Sequence, residues 1–379
     1  MAPVRRDVEA LAGMERGSAG AGERASAAWI AERLRDAGAA EVRVQGFRFQ
    51  RTWAHRQAVH FATGLVAALS GKPRDAALAL GALVSFDLDF SGRSQWLSRI
   101  LPAGEGATVT ARVPAQGEPR RTLVLVAHHD TQRSGLMWHP RILAPLGAER
   151  DDRRDAMDSL AALPEIALGL VALGSAFGWR LPRVAGATVL ATALALALDV
   201  ARGQPVPGAN DNASGVAAVL ALVERLAMET LPGTEVVAVF PGCEEAGMGG
   251  MADWIRRESG ALDPARTLVV GLDTIGSGDP IVASGEGALR TERYREEDLA
   301  WADRGAELAG LPRPRRFRIG GWTDPVLALF AGLPAISILS VRGGRYTNYH
   351  QPTDTPDRVD WGSVERCTRL AAGIAQSWS

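Results

Sequence analysis

Two adjacent glutamates, Glu244 and Glu245, stand in the stretch F-P-G-C-E-E-A-G-M-G-G, residues 240–250. They follow an apolar run, Glu235 to Phe240, which reads as a buried strand, and glycines crowd the other side. Neighbouring residues leaving a strand point in different directions. One carboxylate can therefore bind a metal while the other faces a reacting water. Four further places share this pattern of an acid or imidazole beside an apolar run and glycine: His128 with Asp130, Asp211, Asp273 and His350. Each alone has an ordinary reading as a loop acid, a helix cap, a turn former or a loop histidine. Together, two histidines and three carboxylates suit a divalent ion such as zinc. Asp130, two residues beyond His128, suits the carboxylate that orients a ligating imidazole. Cys243 reads as a small buried residue rather than a thiol ligand.

The elements that must position these groups follow from periodicity. The 379 residues are enough for a sizeable core. Ser26 to Ala37 has helical spacing, and Glu41 to Phe49 alternates as a strand with a bulge expected at Gly46. Thr122 to Ala127, T-L-V-L-V-A, reads as a central strand buried on both faces and leads into His128. From Pro207 onward, helices alternate with strands. Helices are expected over 212–228, 250–258, 296–310, 324–331 and 359–378, and strands over 235–240, 267–275 and 335–341. This alternation predicts an α/β fold, a mixed central sheet with helices on both faces.

Two segments do not fit that rhythm. Ala58–Leu69 and Ala76–Phe86 are apolar nearly all round and joined by Gly71-Lys72-Pro73-Arg74. Leu160–Trp179 and Val184–Val200 repeat the character after a charged stretch at 149–158. Both read as apolar helical hairpins with basic turns. The longer runs approach the length of about 20 residues that a membrane helix needs. Basic turns are also what the positive-inside rule wants on a cytoplasmic side.

Composition excludes some classes. Lys plus Arg (42) nearly equals Asp plus Glu (43), so no basic surplus points to nucleic acid. Two cysteines, neither in a C-x-x-C pair, make no disulfide framework. The N-terminus has no apolar signal core, so a cytoplasmic location is expected, with membrane association through the hairpins left open.

Five ordered motifs resemble those of the zinc-dependent aminopeptidases with a co-catalytic metal pair, the group of bacterial leucyl aminopeptidases and aminopeptidase Y, whose glutaminyl cyclase relatives share the fold. They are A-H-H-D (127–130), G-A-N-D-N-A-S-G (208–215), C-E-E-A-G (243–247), G-L-D-T-I-G (271–276) and Y-H-Q-P-T-D-T (349–355). The resemblance covers residues 1–50, 105–135 and 205–379. It implies two zinc ions per chain. His128 would bind one and His350 the other, Asp211 would bridge them, and Glu245 and Asp273 would each complete one site. Glu244 would be the general base acting on a metal-bridging hydroxide, and Asp130 would assist catalysis by orienting His128. One ion would hold the free α-amine, which explains cleavage at an N-terminus. Either Tyr346 or Tyr349, which flank the last ligand region, would donate to the oxyanion, and Asp324 would sit at the substrate site.

Two departures stand out. The hairpins make insertions at 53–100 and 136–205 in an otherwise single catalytic domain over 1–379. They would form a substrate lid, a homo-oligomer contact or a membrane element. Thr323-Asp324-Pro325 replaces the Ser-Asp-His frequent in relatives. The expected function is a metallo-exopeptidase acting on peptides with a free N-terminus. The alternatives are a glutaminyl cyclase-like acyltransferase with one zinc and a non-catalytic membrane-associated module of the same fold.

Overall fold

The computed structural model describes residues 1–70, 72–143, 155–157 and 159–379. Most of the charged stretch at 149–158, and Gly71 of the first expected turn, lie outside the described residues.

The chain opens with helices α1 (Ala2–Ala12) and α2 (Ala21–Asp36), then strand β1 (Ala40–Phe49). Helices α3 (Ala54–Ser70) and α4 (Pro73–Phe90) follow, then β2 (Gly104–Val113) and β3 (Gln116–Val126). Next come the short α5 (Pro140–Leu143), α6 (Ala162–Ala176), α7 (Arg180–Arg202) and α8 (Ser214–Met228). The rest alternates: β4 (Pro232–Phe240), α9 (Gly249–Glu258), β5 (Thr267–Leu272), β6 (Asp279–Glu286) and β7 (Glu292–Arg293). Then α10 (Glu296–Leu308), β8 (Arg315–Ile319), α11 (Pro325–Phe330), β9 (Ala335–Val341) and α12 (Trp361–Trp378) complete it.

One mixed sheet of order β1-β2-β4-β3-β5-β9-β6-β7 runs through the molecule, with β8 pairing β6. Strands β4, β3, β5 and β9 are mutually parallel, so their carboxyl ends share one edge. That edge is where ligands bind in open α/β sheets. The central apolar runs Leu123–Val126 and Leu268–Val270 are fully buried, as doubly covered strands require. Helices α1, α2, α8, α10 and α12 pack together on one side, and α9 with α11 on the other. The expected mixed α/β sheet is thus observed.

Two details differ from expectation. The irregularity in β1 lies between Ala40 and Arg43, not at Gly46, which pairs Ala107 in regular register. No strand is expected from the sequence over β6, β7 or β8. In β8, R-R-F-R-I, only Phe317 and Ile319 are buried, and pairing with β6 rather than local pattern makes it a strand.

Helices α3, α4, α6 and α7 form a second body with its own apolar core, built on Phe61, Phe86, Leu168, Val171 and Leu190. Contacts run α3 to α4, α6 to α7, α3 to α7 and α4 to α6. Glycine makes the packing close: a Cβ on Gly64 would meet Leu168 Cδ2 at 2.5 Å, and one on Gly186 would meet Ala167 O at 2.5 Å. The ends of these helices nearest the sheet are held by polar contacts. Arg56 pairs with Asp89 at 3.0 Å, both almost fully buried, and donates to Ala246 O at 2.7 Å. Gln95 donates to Gly247 O at 2.6 Å.

Candidate metal centre

Four of the five candidate ligands, together with Glu244, follow strands at the shared edge. His128 follows β3, Glu244 and Glu245 follow β4, Asp273 follows β5, and His350 lies in the loop after β9. Asp211 comes from the Ala209–Ala213 turn ahead of α8, whose Asp211 and Asn212 are non-helical. Helix α8 starts at Ser214, two residues later than the periodicity suggests. The capping contact open to Asp211 falls to Asn212, whose Oδ1 accepts from the Gly215 and Thr274 N–H groups at 3.2 and 3.1 Å. Asp354 accepts from the backbone N–H groups of Asn210 and Asp211 at 2.9 and 3.0 Å. The Asp211 carboxylate is thereby left to point at the site.

It faces both imidazoles. His128 Nε2 lies 3.4 Å from Asp211 Oδ1, and His350 Nε2 lies 3.1 Å from Asp211 Oδ2. Asp273 Oδ1 is 3.8 Å from His128 Nε2, and Glu245 Oε2 is 3.2 Å from His350 Nε2. Two ligand groups result, His128–Asp211–Asp273 and Asp211–Glu245–His350, each with its ligand atoms within 4.8 Å of one another. Glu244 Oε2 stands 3.9 Å from His128 Nε2. Asp130 faces His128 Nδ1 at 3.5 Å. It also accepts from Ser18 Oγ at 2.6 Å and from the Glu244 and Glu245 N–H groups at 3.0 and 3.2 Å. One buried carboxylate therefore faces a ring and holds the backbone of the glutamate pair.

The donor set fits divalent cations. All five ligands are nitrogen or oxygen donors of the kind zinc accepts, and Glu245 Oε1 is buried with no hydrogen-bond partner among the described residues. Burial pushes the Glu245 carboxyl up to about 7, with His350 opposing and Asp211 adding. Burial raises Glu244 well above the carboxylate range, against His128 and with Asp324 and Glu245. Burial alone would lower His350, but Glu245 and Asp211 outweigh it and bring it to about 9. Acids crowded together in an apolar setting resist ionising unless a cation joins them.

The structure also separates the two histidines of A-H-H-D. His129 is buried between Ser26 Oγ (2.8 Å) and Ala107 O (2.9 Å), and burial lowers it to about 4, so it is a neutral structural residue. Cys243 donates to Glu23 Oε2 at 3.2 Å, and burial beside that acid raises its thiol well above the ordinary range. It is no thiolate ligand.

A cavity of about 540 Å³ opens on the ligands. Tyr346 and Tyr349 line it, with burial and the nearby carboxylates raising both phenols and keeping them protonated. Tyr349 stacks on His350 with centroids 3.5 Å apart. The Asp324 carboxylate is buried without a hydrogen-bond partner among the described residues and does not line the cavity, whereas its neighbours Trp322 and Thr323 do. Sequence reasoning missed Trp138, whose ring lies edge-on to His350 at 4.3 Å, and Trp53, Met137 and Trp322, which also line the cavity. Trp138 carried no local signal, since it sits at the start of the segment read as an insertion. Residues of α3, α6 and α7, including Phe61, Leu163 and Val189, complete the apolar wall.

Residues 192–375 match the family model described as peptidase family M28. The match spans four of the five motifs and bears out the family resemblance that they carry; A-H-H-D at 127–130 lies outside it. No curated protein matches the chain. Among solved structures, the chain is similar to an aminopeptidase from Aneurinibacillus sp. strain AM-1, with 15% identity and a TM-score of 0.57 over 99% of this chain and 92% of that one. It is similar to BSAP, a zinc aminopeptidase from Bacillus subtilis, with 13% identity and a TM-score of 0.56 over 99% and 94% of the chains. It is also similar to Fimbriiglobus ruber glutaminyl cyclase, with 16% identity and a TM-score of 0.56 over 99% and 94%. At these identities the likeness establishes the fold.

Proposed function

We propose that this chain is a zinc-dependent aminopeptidase using two ions. The observation that carries the reading is Asp211, whose two oxygens face His128 at 3.4 Å and His350 at 3.1 Å. His128, Asp211 and Asp273 would hold one ion, and Asp211, Glu245 and His350 the other. When bound, the ions would polarise the scissile carbonyl and make a water acidic at neutral pH. Glu244 would take a proton from that water and return it to the amine released as the C–N bond breaks. The water oxygen ends on the carbonyl carbon. Tyr346 or Tyr349, held protonated, would donate to the oxygen that gains charge. Asp130 would keep His128 and the Glu244–Glu245 backbone in place.

The apolar cavity wall favours a bulky apolar residue at the substrate N-terminus. We read 1–379 as one catalytic unit, with 53–100 and 136–205 inserted in it.

The test is zinc content per chain with hydrolysis of aminoacyl anilides before and after chelation. About two zinc ions and chelator-sensitive release, best with leucyl and phenylalanyl substrates, are expected. One zinc, no anilide release, and ammonia from glutamine-started peptides would establish the cyclase instead. No zinc after reconstitution would leave a non-catalytic module.

A further inference from the structure

Helices α3, α4, α6 and α7 break the pattern of a water-facing bundle. A surface helix normally carries charge on its outer face. Here no charged residue occurs between Arg56 and Lys72, between Asp75 and Asp87, between Glu165 and Arg180, or between Arg183 and Asp199. Among the described residues, over half of the exposed large apolar side chains fall in segments 54–90 and 162–202. Leu69 is 85% exposed and Leu181 is 81% exposed, and Val66, Val84, Leu173 and Val184 carry the apolar surface along the four helices. Helix α7 is long and apolar enough to cross a membrane, and only 22% of its most apolar window is buried. A core helix would be mostly buried.

The charges are sorted to the two ends. Lys72, Arg74, Arg180 and Arg183 sit at the tip, beside the exposed Trp179. Arg56, Asp89 and Glu165 sit at the base, where Arg56 reaches Ala246 O and the Leu289 N–H donates to Glu165 at 3.3 Å. Basic residues next to tryptophan are what a headgroup region accepts, and an uncharged belt is what acyl chains accept. The uncharged belts measure roughly 16–22 Å at helical rise, which passes the midplane of a hydrocarbon core about 30 Å thick. Arginine and lysine stems can make up the remainder by extending to the far headgroups. Inside, close contacts at Gly64 and Gly186 are the small-residue packing that holds helices together without a hydrophobic drive.

We propose that these four helices form a head that inserts into a lipid bilayer, tip first. The base of the same helices walls the cavity beside the metal ligands, so insertion holds the proposed active site at the membrane surface. The inference does not depend on which reaction the site performs.

The experiment is flotation of the full-length protein with neutral phosphatidylcholine vesicles at high salt, together with its behaviour without detergent. The expected result is that it floats, resists salt extraction and aggregates without detergent. The variant Val66→Glu/Leu173→Glu/Val184→Glu, altered at exposed positions away from the ligands, should float at least about tenfold less. Its circular dichroism and zinc content report that it still folds. A wild-type protein that stays in the aqueous fraction as a detergent-free monomer overturns the proposal. So does a detergent-free dimer, which would mean that a second copy covers these faces. Binding only to anionic vesicles with release by salt also overturns it, because that is surface attachment. Should the variant not fold, the wild-type result alone decides.

Discussion

The sheet body and the four-helix head follow opposite rules for polar groups. In the body, several buried acids hold two or more polar partners. Asp130 holds a hydroxyl and two backbone amides, and Asp354 holds two more amides. In the head, helices meet mainly through apolar side chains and close glycine contacts, with polar links such as His60 to Ser85 at 2.9 Å. The body specifies geometry with polar contacts that only water-free, well-partnered sites tolerate. The head forgoes that precision and keeps an uncharged exterior. Where they meet, Arg56 and Gln95 of the head segment hold the loop that carries Glu244 and Glu245.

The largest effect expected on the body is from Asp211→Asn. It should lower zinc to about one ion or less per chain and abolish measurable turnover, while the head still floats with vesicles. Two retained ions would remove Asp211 from the bridging role. Glu244→Gln should keep the zinc and cut kcat roughly a thousandfold. Undiminished kcat would show that another group moves the proton.

The junction offers the next test. Arg56→Met removes one partner of a buried ion pair, a change that typically costs about 3–5 kcal/mol. It should lower the melting temperature and, by freeing Ala246, lower turnover as well. Adding Asp89→Leu should restore much of the stability but not the turnover, because the contact to Ala246 O stays lost. Unchanged turnover in Arg56→Met would mean that the head does not position the loop.

The smallest effect is one of pH. Glu286 is buried against Thr323 and Tyr294, and burial raises it from 4.5 to about 7. A folded-state pKa above the unfolded value means that folding takes up a proton. The resulting stability is full below pH 4.5 and is lost as pH rises to about 7. Glu286→Gln should flatten the melting temperature across that window. An unaltered slope would assign the dependence to other acids.

Much of the site was legible in the sequence because it is built from strand ends. Apolar runs ending in His128, Glu244 and Asp273 announce both the strands and the edge they share. The apolar character of the head was equally plain, since uncharged runs need no partner to be recognised. The rest depended on tertiary structure. Strand β8 exists because β6 pairs with it, although its own sequence is mostly arginine. His128 rather than His129 faces the carboxylates because Ser26 and Ala107 occupy the second ring. Trp138 reaches His350 across more than two hundred residues of chain. Arg56 finds Ala246 across 190 residues. Residue type and period are local properties that a sequence displays directly. Which distant groups meet is set by packing the whole chain, and that decided how the candidate ligands group around Asp211.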